Sequence, residues 1–99
     1  MPYSLQKENG YAGDSGQMSM LLIPKYDADG KFVEIEYVHN AKPQIGAAIR
    51  VGSLYARSYS AQDWWQTSKI VEILDDIEID NKNIVKFKTQ NSIYIWEKF

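Results

Sequence analysis

Apolar and polar residues alternate one by one in two stretches of this chain, and those stretches set the expectation for the rest. In "KFVEIEYV" (31–38), Val33, Ile35 and Tyr37 fall on one side while Glu34 and Glu36 fall on the other. A period of two is the signature of a half-buried strand. The preceding run "SMLLIPKY" (19–26) is nearly all apolar, and "DADG" (27–30) between them supplies turn residues, with Gly30 suited to a left-handed position. The two runs therefore predict a hairpin, with Pro24 bending the first strand or confining it to an edge.

The second alternating stretch is "IVKFKT-QN-SIYIWEKF" at the C-terminal end. With Gln90 and Asn91 as a two-residue turn, Phe87 lies opposite Tyr94 and Val85 opposite Trp96. Lys86 and Lys88 then share the other face with Ile95 and Ile93. A three-residue loop would change every pairing. The face carrying Val85, Phe87, Tyr94 and Trp96 is the predicted core.

Between these hairpins the signals are weaker. "HNAKP" reads as a loop. "IGAAIRVGSLYA" (45–56) reads as a strand interrupted by Gly46 and Gly52, with Ile49, Val51 and Tyr55 on one face and Arg50 on the other. "KIVEIL" (69–74) is a short strand, and "DDIEIDNKN" (75–83) an acidic connection in which Ile77 and Ile79 could extend it. Residues 1–18 hold three glycines and no apolar period. They predict a flexible N-terminal arm unless Tyr3, Leu5 or Tyr11 docks, with residues 19–99 as a single β domain. The expectation is a mainly β domain of about five or six antiparallel strands, a curled sheet or SH3-like partly open barrel.

Composition narrows the class. At 99 residues the chain makes one domain, and without cysteine it must be held by packing alone. Aromatic residues, 13% of the chain, supply much of that burial. A net charge of −2 gives no general attraction to nucleic acid or anionic membrane. The first residues have neither the basic nor the apolar region of a signal peptide, and no apolar run approaches a membrane span. A cytoplasmic protein that does not engage membrane is expected.

Candidate chemistry is sparse. Setting Gly30 at the invariant glycine of a calcium loop places Lys25 at the first ligand, which excludes that reading. His39 is the sole histidine, and with no cysteine a zinc site would need several carboxylates. The acids from Glu72 to Asp80 read as a solvated segment or, alternatively, a phosphate-mimicking surface. No metal, cofactor or catalytic group is assigned.

The stretch "YARSYSAQDWWQTS" (55–68) is the most informative. Ser60 and Asp63 have capping-box spacing, which would start a short helical turn at "AQDWW". In a turn Trp64 and Trp65 point about 100° apart, and in a strand they point to opposite faces. One therefore packs inside and the other remains available. Arg50, Tyr55, Arg57, Tyr59, Trp64 and Trp65 form the candidate binding set, the residue types that dominate interface energetics. A buried tryptophan beside a stacked Arg–Tyr surface pair is the structural alternative.

The blocks "RVGSLYARSYSAQDWWQTSKIVEIL" and "VKFKTQNSIYIWE" resemble small, largely uncharacterised proteins of bacteriophages and prophages. The resemblance spans residues 50–96 and brings no catalytic signature. It implies an intracellular setting and a role in protein interaction. The leading expectation is a non-enzymatic module that binds a protein partner, a host factor or another copy of itself. A small β-barrel binding single-stranded nucleic acid is the alternative, with Arg50 and Arg57 beside stacking aromatics.

Overall fold

A computed structural model describes residues 3–10, 13–52 and 64–99. Among the described residues the chain forms nine strands: β1 (Tyr3–Lys7), β2 (Gly13–Gly16), β3 (Met18–Tyr26), β4 (Phe32–His39), β5 (Ala48–Gly52), β6 (Trp64–Gln66), β7 (Ile70–Ile79), β8 (Lys82–Thr89) and β9 (Ile93–Lys98). They make two antiparallel sheets, one of five strands ordered β2-β1-β9-β8-β7 and one of four ordered β4-β3-β5-β6. The molecule is all-β as expected, but it has more strands than five or six and does not close into a barrel.

The core lies between the sheets. Leu5, Trp96, Tyr94, Val85 and Phe87 from the five-stranded sheet meet Leu21, Ile49 and Val51 from the other. The C-terminal hairpin has the pairing that a two-residue turn requires, Val85 opposite Trp96 and Phe87 opposite Tyr94. Thr89 N–H donates to the Ser92 carbonyl at 2.9 Å to close it. The Phe87 and Tyr94 rings stack 5.5 Å apart. One polar relay crosses this core: Trp96 Nε1 donates to Ser19 Oγ at 2.9 Å, and Ser19 Oγ donates to the Ala41 carbonyl at 2.8 Å. Both Trp96 and Ser19 are buried, so each polar atom needs that partner.

Three elements differ from the sequence expectation, each for a physical reason. The supposed arm is not free: β1 pairs with β9 from Tyr3↔Lys98 to Lys7↔Tyr94, and it docks through Tyr3 and Leu5, both buried. Strand β2 ("GDSG") has no apolar period because its neighbour holds it. A β-carbon at Gly13 would overlap the Leu5 carbonyl oxygen. Strand β3 is central, flanked by β4 and β5, and buried on both faces from Ser19 to Leu22. That accounts for its continuous apolar run. Pro24 sits beyond the last β3–β5 pair, Leu22↔Ala48, where its missing N–H removes no rung of that ladder.

The acidic segment is not a connection but most of β7, which runs to Ile79. Asp80 and Asn81 then turn the chain with φ of 51° and 67°. Two consecutive left-handed residues give the hairpin turn that matches strand twist. Between β6 and β7 the chain passes from one sheet to the other. Thr67 N–H donates to Ile49 O, Ile70 N–H to Ala47 O, and Gly46 N–H to Ile70 O.

Candidate functional site

The register of the four-stranded sheet decides which side chains share its outer face, the one turned away from the core. Arg50 pairs with Gln66 and with Met20, and Met20 pairs with His39. Leu22 pairs with Tyr37 and Ala48, Pro24 with Ile35, and Gly52 with Trp64. Along β4, alternation then places Val33, Ile35, Tyr37 and His39 outward. The face is apolar along β3 and β4 and cationic toward β5, where Arg50 stands.

Of the predicted binding set, Arg50 and Trp64 come together here. The Arg50 guanidinium lies 4.0 Å from the centre of the Trp64 ring, and its Nε and a terminal nitrogen both donate to Gln66 Oε1, at 3.0 and 2.8 Å. The planar fork of arginine makes this possible, gripping one acceptor while stacking on an aromatic face. Such a stack contributes roughly 0.5–1 kcal/mol at an exposed site. No carboxylate among the described residues pairs with Arg50.

Trp65 goes the other way. It lies opposite Val51 and packs on the core. Trp64, Trp65 and Gln66 are strand rather than helical turn, which is why the two tryptophans separate across the sheet. The Trp65 indole N–H is buried with no acceptor. Tyr55, Arg57 and Tyr59, and the capping pair Ser60 and Asp63, lie outside the described residues.

Sequence reasoning missed the other half of the face. The alternation of β4 reads as a half-buried strand, yet all of β4 except Val38 is exposed. Val33 is 58% exposed, Ile35 38% and Tyr37 50%. Two causes combine: Val33, Ile35 and Tyr37 face away from the core, and on the other side the five-stranded sheet lies over β5 and β6, leaving Glu34 and Glu36 of β4 overhanging. Below it a depression of about 290 Å³ is floored by Leu22, Pro24 and Ala48, with Tyr26, Phe32 and Ile35 along one side and Gln66 and Lys69 along the other. Tyr26 and Phe32 stack edge to face at its rim, 6.3 Å apart, and both are more than half exposed.

The remaining candidates have structural duties. Asp27 Oδ1 accepts the amides of Asp29 and Lys31, both at 2.9 Å, so its carboxylate shapes the β3–β4 turn. His39 is exposed at the end of β4, and no cluster of three metal-ligating side chains occurs among the described residues. Asp76 bonds Lys42 at 2.7 Å and accepts from Asn83 at 2.8 Å. The Lys42 bond first, and the Asn83 amide second, hold its carboxyl below the ordinary range, while Asp76 holds the Lys42 ammonium above its own.

Comparison with known protein families, with curated proteins and with solved structures gives no match.

Proposed function

We propose that the chain is a non-enzymatic binding module that engages a protein partner through the outer face of its four-stranded sheet. The observation that carries this reading is the composition of that face. Exposed Tyr26, Phe32, Val33, Ile35 and Tyr37 share it with Arg50, which stacks on Trp64 toward its other end, and no acid shares the face among the described residues. Contiguous apolar surface beside aromatic and arginine anchors is how interface centres are built. The resemblance of residues 50–96 to phage and prophage proteins supports an intracellular partner, a host or phage protein or another copy of the chain.

The test compares two surface variants in affinity capture from cells that produce the protein. A variant with Ile35→Thr, Tyr37→Ser and Arg50→Ser loses the partner and keeps its fold by circular dichroism. A control with Ile95→Thr on the opposite sheet keeps the partner. Retention by the first, or loss by the second alone, contradicts the proposal.

A second reading draws on the same observation, because exposed aromatics beside Arg50 and Lys69 also suit stacking of single-stranded bases. Among the described residues Arg50 and Lys69 are the strong cations there, so their contribution to the salt slope is shallow. Titration of a single-stranded oligonucleotide at two salt concentrations separates the readings.

A further inference from the structure

The four sheet edges are protected very differently. Strand β2 is four residues long with glycine at each end, and β6 is three residues long. Strand β7 is long, but its register shifts twice, between Ile70 and Glu72 and between Ile73 and Asp75. Those bulges leave Val71 and Leu74 as extra residues and break the edge. Short strands, bulges, proline and lysine are the usual devices that keep edges from pairing outward.

Strand β4 has only one of them, a register shift between Lys25 and Tyr26 that leaves Val33 as an extra residue at its very start. It runs eight residues, contains no proline, glycine or lysine, and pairs with β3 without a shift from Met20↔His39 to Lys25↔Glu34. Along the unshifted stretch from Glu34 to His39 its one concession is a pair of glutamates, Glu34 and Glu36, on the side opposite Ile35 and Tyr37. Lys25 lies 3.6 Å from Glu36, with both side chains about half exposed. Glu34 has no ion-pair partner among the described residues.

Those glutamates determine which strand the edge takes. Two copies of β4 paired antiparallel about a two-fold axis near the strand centre bring Glu34 or Glu36 opposite Glu34 or Glu36 of the partner copy. Like charges directly opposite are destabilising, whereas opposite charges contribute. We propose that β4 is a strand-docking edge that rejects its own copy and accepts an extended segment alternating apolar and basic residues. Apolar side chains of that segment continue the row of Val33, Ile35 and Tyr37, and its basic ones lie opposite Glu34 and Glu36. Main-chain hydrogen bonds supply affinity and the alternation supplies selection. This deepens the reading above and rests on it, since the added strand widens the same face.

The test needs no unidentified ligand. A peptide of residues 31–40 carrying Glu34→Lys and Glu36→Lys is titrated into the wild-type protein, beside the unmodified peptide and a scrambled form of the modified one. Amide hydrogen exchange is read along β4. The modified peptide is expected to protect β4 amides and to bind about tenfold tighter than the unmodified one, from two pairs turned from like to opposite charge. Full-length protein carrying both substitutions, mixed with wild type, is expected to sediment as a one-to-one complex that neither forms alone. Equal binding by the scrambled peptide, protection outside β4, or no complex in the mixture would overturn the proposal. The capture experiment on the outer face uses neither glutamate, so loss of edge pairing with capture intact rejects the edge alone.

Discussion

The two outer faces of this sandwich are built from the same alternation and put to different ends. On the five-stranded sheet, the outward positions of β7, β8 and β9 interleave Ile84, Ile93 and Ile95 with charges of both signs. Those charges close on one another: Lys82 meets Glu97 at 3.1 Å and Lys86 meets Glu8 at 2.7 Å. Its one exposed aromatic ring among the described residues is Phe99, just past β9, and Lys82 stands over it at 4.8 Å. The outer face of the four-stranded sheet instead exposes aromatic and branched side chains, and among the described residues its Arg50 finds no acid. A face that has neutralised itself with its own charges has little left to offer a partner. A face whose exposed rings flank an arginine with no acid partner among the described residues has more.

The contrast supposes that one core holds both faces, and the largest effect tests that supposition. Trp96→Ala empties the centre of the core and should cost about 3–5 kcal/mol in urea unfolding, with both sheets melting in one transition. Two separate transitions would mean that the faces belong to independent units. Ser19→Ala should cost about 1–3 kcal/mol, because it leaves the buried Trp96 indole N–H and the Ala41 carbonyl unpartnered.

Smaller effects sharpen the difference between the faces themselves. Tyr37→Ser, at a half-exposed position on the outer face, should shift stability by no more than about 0.5 kcal/mol. Ile95→Thr, half-buried between charge pairs, should cost more. Reversal of that order would show the aromatic face to be structural. A double-mutant cycle on Lys82 and Glu97 should return about 0.2–1 kcal/mol and vanish in high salt, as expected of an exposed pair.

The smallest effect concerns the Lys42–Asp76 bridge. Because the Asp76 carboxyl is lowered in the folded state, its stabilisation is present above its unfolded pKa and disappears as pH falls through the folded value. The stability difference between wild type and Asp76→Asn should therefore stay level from pH 7 to 5 and shrink below about pH 4. Exposure and solvent screening keep it to a few tenths of a kcal/mol.

Local pattern made part of this legible in the sequence. Strict alternation made the faces of the C-terminal hairpin legible, but its register hung on the length of the turn, which the structure sets at two residues. Strand β2 could not be seen, because "GDSG" carries no periodic signal and is held by β1. Strand β7 was legible only in its first half, because the acids that follow read as a connection; an exposed, twice-bulged edge tolerates them. Alternation in β4 showed that one side was apolar, but no local pattern says whether another sheet covers it. Arg50 and Trp64 were each singled out, yet their contact depends on the β5–β6 register, and Tyr37 joined them only through β3.

The most direct measurement of the central claim places a photo-crosslinking amino acid at Tyr37 and, in a separate protein, at Ile95, in cells that produce the chain. The account predicts a discrete protein adduct from position 37 and none from position 95. An adduct from position 95 with none from 37 would contradict it.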